Sequence, residues 1–171
     1  MKNYIMGLAL AGMIYSAYAC TNPSSNNTNT ENTEAAAQVN PKFVDSKVNE
    51  VYQHYIYLKT ALVNDDNKEA SAGAQMLASA LKDANVNSKY INSMVEAKDL
   101  EGKRAKFSEL SNELAEIFRK SKLESGVVYK QYCPMANDGN GGYWLASEKK
   151  IKNPFYGSKM MSCGSVEEEI K

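Results

Sequence analysis

The chain has 171 residues, 43% of them hydrophobic and 23% charged, and its 20 basic residues balance 20 acidic ones to a formal net charge of zero. It has no basic stripe that could follow a phosphate backbone, so we do not expect a nucleic-acid partner. It also has no phosphate loop, dinucleotide fingerprint or zinc-finger spacing, which excludes the most common signatures of nucleotide and zinc binding.

Residues 1–19 predict an export signal. Lys2 precedes an apolar run that begins at Tyr4 and is too short to span a bilayer. Ala17 and Ala19 fit a small-x-small cleavage site. Removal of this segment takes away Lys2 alone among the charged residues, leaving 19 basic against 20 acidic residues and a net charge of −1.

Cys20 is the predicted lipidation site. It resembles the acylated first residue of a bacterial lipoprotein, although Ala17 and Tyr18 differ from the aliphatic and small residues usual before it. Residues 20–40 are rich in Asn, Thr, Ser and Ala, a composition typical of a flexible tether. We therefore expect a lipid anchor in the cell envelope, on the periplasmic side of the outer membrane. Plain secretion with Cys20 free is the alternative, but a lone thiol in an oxidising compartment disfavours it.

Residues 41–171 have the size of one domain, and their first part predicts helices. Asn40-Pro41 has the residue types of a helix start. Asp66 and Glu69 have the spacing of a capping box for a second helix. The apolar positions of the first helix recur every three or four residues: Val44, Val48, Val51, Tyr55, Leu58 and Leu62.

Two more helices complete the helical part. A short helix is expected around residues 88–98, and a long one follows, with Ser125-Gly126 at its end. The apolar face of the long helix consists of Phe107, Leu110, Leu114, Ile117 and Phe118. Because short connections favour antiparallel neighbours, the predicted fold is mainly α, a small antiparallel helical bundle with a short irregular or β-containing C-terminal segment.

The pattern changes after Gly126. Val127–Cys133 is β-branched and aromatic and predicts a strand, and Tyr143–Leu145 is a second strand candidate. The stretch between them, residues 137–142, is a turn or loop. Residues 152–157 form another turn, whose aromatic side chains we expect to pack on the helices.

Two sulfur clusters in this last part are the strongest functional signal. Each of Cys133 and Cys163 has a methionine two residues away, Met135 and Met161 respectively, and residues two apart face the same side of an extended chain. Thiolate and thioether sulfur are the ligands that Cu(I) and Ag(I) select, so all four are metal-site candidates. A Cys133–Cys163 disulfide is the alternative, worth roughly 3–4 kcal/mol for a thirty-residue loop. The methionines would then be ordinary core-filling residues.

Catalytic chemistry is hard to assemble from this sequence. His54 is the one histidine, and it lies on the first predicted helix, where nothing in the sequence brings it to Cys133 or Cys163. We interpret His54 as a structural or surface residue rather than a third metal ligand. We therefore name no catalytic residue and expect no enzyme.

Several segments between Val44 and the end of the chain together resemble a known family. They are Tyr57–Asp66, the helix with Phe107, Leu110, Ser111 and Leu114, Tyr132–Ala136, Trp144-Leu145, Asn153–Gly157 and Met160–Gly164. The chain resembles a bacterial domain family of unassigned function that is common in the Bacteroidetes. Its members occur as stand-alone lipoproteins and as a terminal domain of periplasmic adaptor proteins in copper/silver and other heavy-metal efflux systems.

The resemblance implies heavy-metal handling, with Cys133, Met135, Met161 and Cys163 as the matching metal candidates. It also implies a periplasmic efflux adaptor as a partner, although the chain has no adaptor hairpin and is not expected to build a pump itself. The expected function is binding of Cu(I) or a similar soft ion, for buffering or for transfer to efflux. The alternative is a structural or protein-interaction module with a Cys133–Cys163 disulfide and no metal.

Overall fold

The computed structural model describes residues 39–171, so the predicted signal, Cys20 and nearly all of the tether lie outside the described residues. Within them the fold is mainly α, with a few short antiparallel strands, most of them in the C-terminal part. In this part of the chain no helix is both long and apolar enough to cross a membrane.

The elements follow one another in a simple order, with helices first and most strands last. They are β1 Lys42–Phe43, α1 Ser46–Val63, α2 Asn67–Asp83, α3 Ile91–Glu96, α4 Leu100–Lys120, β2 Leu123–Ser125, β3 Val128–Cys133, the short turn-like α5 Ala136–Gly139, β4 Gly142–Ala146 and β5 Ser165–Ile170. A single 3-10 turn, Gly157–Lys159, lies between β4 and β5.

The first helix begins later than the sequence predicted. Asn40-Pro41 is not its start; α1 begins at Ser46, where the Asp45 carboxylate accepts the backbone N–H groups of Lys47 and Val48. Phe43 is the reason for the delay, because β1 pairs with β2 and buries this ring to 2% exposure.

The helical core follows most of the predicted apolar positions, although Val44 lies before α1 and is 58% exposed. Val51, Tyr55, Leu58 and Leu62 of α1 are buried, and α2 packs along them. Gly73 of α2 allows a close approach, since a Cβ there would lie 3.0 Å from the Leu58 Cα. Asp66 caps α2 as predicted, because its carboxylate accepts the N–H of Glu69 at 3.0 Å. The reciprocal half of the capping box is not formed, since the N–H of Asp66 donates to the carbonyl of Ala61.

The long helix α4 ends earlier than the sequence predicted. It ends at Lys120 rather than at Ser125-Gly126, with Ser121 in extended conformation as its cap. Residues 123–125 then form β2, because pairing with β1 provides backbone partners that a longer helix would forgo. Gly126 does have a positive φ, +77°, but it joins β2 to β3.

The C-terminal sheet is antiparallel with the order β4-β3-β5. The strands β3 and β4 were predicted, whereas β5 was not. Hydroxyl groups of the helices accept hydrogen bonds from the backbone N–H groups on the outer edge of β4. The Leu145 N–H donates to the Tyr55 hydroxyl at 2.9 Å, and the Tyr143 N–H donates to Ser108 Oγ at 3.0 Å. This edge of the sheet is therefore hydrogen-bonded to α1 and α4.

Residues 147–164, here called the cover segment, connect β4 to β5 and pack over one face of the sheet. The Gln131 amide, on that face, donates to the carbonyl groups of Glu148 and Lys149 at 2.7 and 3.3 Å. Phe155 packs edge-on against both Phe107 and Trp144, with ring centroids 6.1 Å apart in each case. The aromatic residues of this turn therefore pack on the core, as expected.

Candidate functional site

Cys133 lies at the end of β3 and is completely buried, opposite Gly142 of β4. On its other side β3 pairs with β5, where Gln131 faces Val166 and Tyr132 faces Ser165. Continuation of this register places Cys133 opposite the residue that directly follows Cys163. The pairing of β3 with β5 thus brings the two cysteines side by side.

Cys163 is half-buried. The neighbouring Cys133 thiol is the main reason why the pKa of Cys163 is raised above its usual value, with burial adding to the effect and the backbone of Met135 partly offsetting it. Both cysteines are free thiols in the structure.

Asn153 holds Cys163 in this position. Its side chain is completely buried, and its amide donates to the carbonyl of Cys163 at 2.9 Å. Its backbone N–H donates to the carbonyl of Met161 at 2.8 Å, while its Oδ1 accepts the N–H of Phe155 at 2.8 Å. Asn153 therefore ties the two halves of the cover segment together. The sequence showed it only as part of an Asn-Pro turn.

Gly164 lets the chain pass closely over β3 and β4. A Cβ at this position would lie 2.7 Å from the Tyr132 carbonyl oxygen and 2.8 Å from Cη2 of Trp144. Its φ of +136° also disfavours a side chain. Gly164 is thus the position at which the backbone can bring Cys163 against the end of β3.

The two methionine candidates lie in different surroundings. Met135 is 50% exposed, and its carbonyl accepts the hydroxyl of Tyr156. The side chain of Met161 is 38% exposed and lines a groove against Ile56, Lys59 and other residues of α1. The structure thus joins the two cysteines directly, joins Met135 to them through its backbone, and sets Met161 in a groove that none of the other three residues lines.

Trp144 and Gln131 form a buried polar pair beside Cys133. They face each other across β4 and β3, on the same side of the sheet as Cys133, and both are completely buried. Trp144 Nε1 and Gln131 Oε1 have no hydrogen-bond partner among the described residues. Since Trp144 is buried under Gly164, its ring is part of the floor beneath the thiols rather than an exposed face for a cation.

His54 has the surface character expected of it. Its Nε2 lies 3.8 Å from the carboxylate of Glu50, one turn earlier on α1, and its side chain is 30% exposed. Among residues 39–171, no three His, Cys, Asp or Glu side chains gather into a group that could hold a metal ion. Any metal bound at the thiol pair would therefore take its further ligands from sulfur, backbone or solvent.

Asp65 fixes the cover segment to the helices. Its carboxylate accepts Arg104 of α4 at 2.6 Å and both the N–H and the hydroxyl of Ser158, at 2.9 and 2.7 Å. These hydrogen bonds, above all that from Arg104, hold the pKa of Asp65 well below its usual range. The sequence indicated only a corner between two helices here. In the structure Asp65 adopts the left-handed backbone conformation at this corner, with a φ of +57°.

Chemically, the site is a pair of adjacent thiols, one buried and one accessible, on a rigid sheet end. Such a pair can bind one soft ion through two thiolates or close a disulfide.

Comparison with known proteins characterises the helical part only. Neither the curated proteins nor the solved structures gave a match to this chain. A family model matches part of the chain, and this match ends before β3, so both cysteines of the candidate site lie beyond it. Residues 51–126, from the first turns of α1 to the end of β2, match the model of a domain family described as a protein of unknown function (DUF3347).

Proposed function

We propose that this chain is a non-enzymatic envelope lipoprotein that binds Cu(I), or a similar soft ion such as Ag(I), through Cys133 and Cys163. The observation that carries the proposal is the pairing of β3 with β5, which brings Cys133 and Cys163 side by side at the end of the sheet. Two thiolates on adjacent backbone segments match the linear or trigonal sulfur coordination that soft monovalent ions accept. Binding through two thiolates would release the two thiol protons to water.

Met135 is the best candidate for a third ligand, because its backbone already contacts the Cys163 sulfur and its side chain is half exposed. Met161 would have to leave its groove on α1 to join the same ion. We therefore propose a three-sulfur site of Cys133, Cys163 and Met135, with Met161 as a fourth donor only after rearrangement.

The biological setting that we propose follows from the resemblance described above. Cys20 would carry the lipid and residues 20–40 the tether, which would hold a small helical bundle at the periplasmic side of the outer membrane. By the same resemblance, the bound ion would be buffered or passed to the periplasmic adaptor of a heavy-metal efflux system.

The test is a competition titration with Cu(I) and bicinchoninate under reducing, oxygen-free conditions. It uses the full chain with Cys20→Ser, so that Cys133 and Cys163 are its two thiols. We expect one Cu(I) per chain, and a loss of affinity of more than about 100-fold in Cys163→Ser. The loss of a direct ligand should exceed the 10–100-fold cost of losing an outer-shell partner.

Three methionine variants resolve the ligand set. Met135→Leu should weaken Cu(I) binding, whereas Met161→Leu should not. Met76→Leu is the matched control, because Met76 is 44% exposed on α2 and is not part of the sulfur clusters. Affinity for Cu(I) that is unchanged in Cys163→Ser would rule out the proposed function.

A structural module with a Cys133–Cys163 disulfide is the second candidate, and the same pairing of β3 with β5 favours it. Thiol counting separates the two. The proposed function predicts that the reduced Cys20→Ser chain binds Cu(I) tightly. A purely structural module predicts that the air-exposed chain has no free thiol and that the reduced chain shows no cysteine-dependent Cu(I) affinity.

A further inference from the structure

We infer that the Cys133–Cys163 pair also reduces Cu(II), in a stoichiometric reaction that closes a disulfide between the two cysteines and releases Cu(I). The inference rests on the proposed function, since the same pair must be open to copper. It adds an activity: the chain would convert the oxidised ion into the reduced one instead of only holding the latter.

The first support is the position of the two sulfurs. Antiparallel pairing of Tyr132 with Ser165 fixes the strand ends that carry Cys133 and Cys163, and Asn153 fixes the Cys163 carbonyl. A disulfide requires Cα atoms within about 7 Å and converging side chains. The register sets Cys133 opposite Gly164, the neighbour of Cys163, so we expect the bond to form without moving the cover segment.

The second support is the set of donors around the thiols. Cu(II) prefers nitrogen and oxygen ligands in a square arrangement, whereas Cu(I) prefers sulfur. No His, Asp or Glu within residues 39–171 joins the two cysteines in a metal-sized group. Met135, whose backbone lies beside Cys163, would add a thioether rather than a nitrogen or oxygen ligand. A site of sulfur alone stabilises the reduced ion, which favours electron transfer from sulfur to an arriving Cu(II).

The third support is the difference in exposure between the two cysteines. Cys163 is half-buried and open to solvent on one side, whereas Cys133 is completely buried behind it. An ion from solvent meets Cys163 first, and the second sulfur lies within the same molecule. The oxidised Cys163 would therefore be captured by Cys133 rather than by a second chain, because intramolecular capture has a high effective concentration.

The reaction balances with two ions per chain. Two Cu(II) ions each accept one electron and become Cu(I), and the two S–H bonds break, releasing two protons to water. The two sulfurs are oxidised and form one S–S bond. The disulfide can no longer supply two thiolates, so the Cu(I) leaves for another acceptor, and a small dithiol would restore the pair by thiol–disulfide exchange.

The experiment uses the full chain with Cys20→Ser, fully reduced and free of oxygen, mixed with two equivalents of Cu(II) sulfate. Aliquots are first treated with N-ethylmaleimide to block remaining thiols, and only then receive bathocuproine disulfonate to read Cu(I). We expect two Cu(I) per chain, loss of both thiols, and a monomer lighter by two hydrogen atoms.

Cys163→Ser is the decisive variant, because this residue is only half-buried and its replacement should leave the fold intact. It should reduce Cu(II) about 100-fold more slowly or worse, and only through disulfide-linked dimers. The matched Met161→Leu and Met76→Leu variants should keep the full yield. Cys133→Ser repeats the test at the buried position, with circular dichroism as a check that the chain is folded.

The two proposals fail in different ways. If Cu(I) binds tightly but Cu(II) leaves both thiols intact, the reduction is refuted and the binding function stands. If Cu(II) is reduced but the Cu(I) titration shows no dependence on Cys163, the binding function is refuted instead. A rate in Cys163→Ser that equals that of the parent chain would overturn the reduction outright.

Discussion

At the scale of single residues, Asp65 connects three parts of the molecule that are distant in sequence. It lies at the corner between α1 and α2 and accepts hydrogen bonds from Arg104 of α4 and from Ser158 of the cover segment. One carboxylate thereby fixes the cover segment to the helices.

Asp65→Asn should destabilise the fold by about 1 kcal/mol at neutral pH, since asparagine tolerates the left-handed backbone but loses the charge facing Arg104. The effect depends on pH. Because the folded-state pKa of Asp65 is lowered, its contribution is complete above the unfolded value of 3.8 and declines as the pH falls below it. Urea unfolding at pH 6 and pH 3 should therefore show a smaller difference between the two chains at pH 3.

Asp83→Asn is the control for this prediction, because the Asp83 side chain has no partner among the described residues and is exposed at the end of α2. It should leave the pH dependence unchanged. Equal pH profiles for the parent chain and Asp65→Asn would contradict the role given to Asp65.

At the scale of elements, β4 depends on side chains for its outer backbone partners. The Tyr55 hydroxyl accepts the N–H of Leu145 and also shares a hydrogen bond with Ser111 on α4, at 2.7 Å. Burial of Tyr55 raises the pKa of its phenol strongly, so the group stays neutral at any ordinary pH. The hydroxyl is therefore a fixed link between α1, α4 and the sheet.

Tyr55→Phe should cost about 1–3 kcal/mol, because it leaves a buried N–H without an acceptor. Tyr57→Phe on the same helix is the matched control. Tyr57 is 39% exposed and its hydroxyl bonds Glu69 at the surface, so its loss should cost less than about 0.5 kcal/mol. Chemical unfolding gives both values, and hydrogen exchange at the Leu145 amide should be accelerated only in Tyr55→Phe.

Gly164 and Gly139 form a second matched pair. Both have a positive φ, but a Cβ would meet nothing within 4 Å at Gly139, whereas at Gly164 it would collide with Tyr132 and Trp144. Gly139→Ala should cost about 1–2 kcal/mol from backbone conformation alone. Gly164→Ala should cost more than about 2 kcal/mol and should also weaken Cu(I) binding, since it displaces Cys163. Similar effects of the two substitutions on unfolding and metal affinity would disprove the close approach at Gly164.

The sequence indicated the helices well because their apolar faces repeat over many turns, as at Phe107, Leu110 and Leu114. It misplaced the start of α1 and the end of α4, because tertiary pairing decides both. Phe43 and Leu123 enter a two-stranded sheet that no local pattern reveals. It also missed β5, whose three successive glutamates are poor strand formers and pair with β3 through a bulge.

The candidate site was indicated only in part, for the same reason. The sequence gave prominence to Cys133 and Cys163, but their contact depends on the pairing of β3 with the unpredicted β5. Met161 lines a groove together with residues of α1, a placement that the two-residue spacing to Cys163 could not show. The role of Asn153 is likewise visible only once its backbone partners in the cover segment are in place.

At the scale of the whole molecule, the oxidation state of the Cys133–Cys163 pair should set the stability. A disulfide there would close the loop that contains β4 and the cover segment. The oxidised Cys20→Ser chain should therefore be more stable than its reduced form by about 3–4 kcal/mol, measured by urea unfolding with and without reductant. In Cys163→Ser, reductant should not change the free energy of unfolding. A difference below about 1 kcal/mol would show that the bond strains the fold.

The arrangement of the sheet has a consequence for association between chains. Since hydroxyl groups of α1 and α4 occupy the outer edge of β4, the open edge of this sheet is β5, where Glu167, Glu168 and Glu169 follow one another. Arg119 binds Glu168 with two hydrogen bonds of 2.6 and 2.7 Å, which leaves a charged rather than an apolar margin. Charged edge strands discourage strand-to-strand polymerisation. Separate copies of the described domain are accordingly expected not to join through this edge, even at high local concentration.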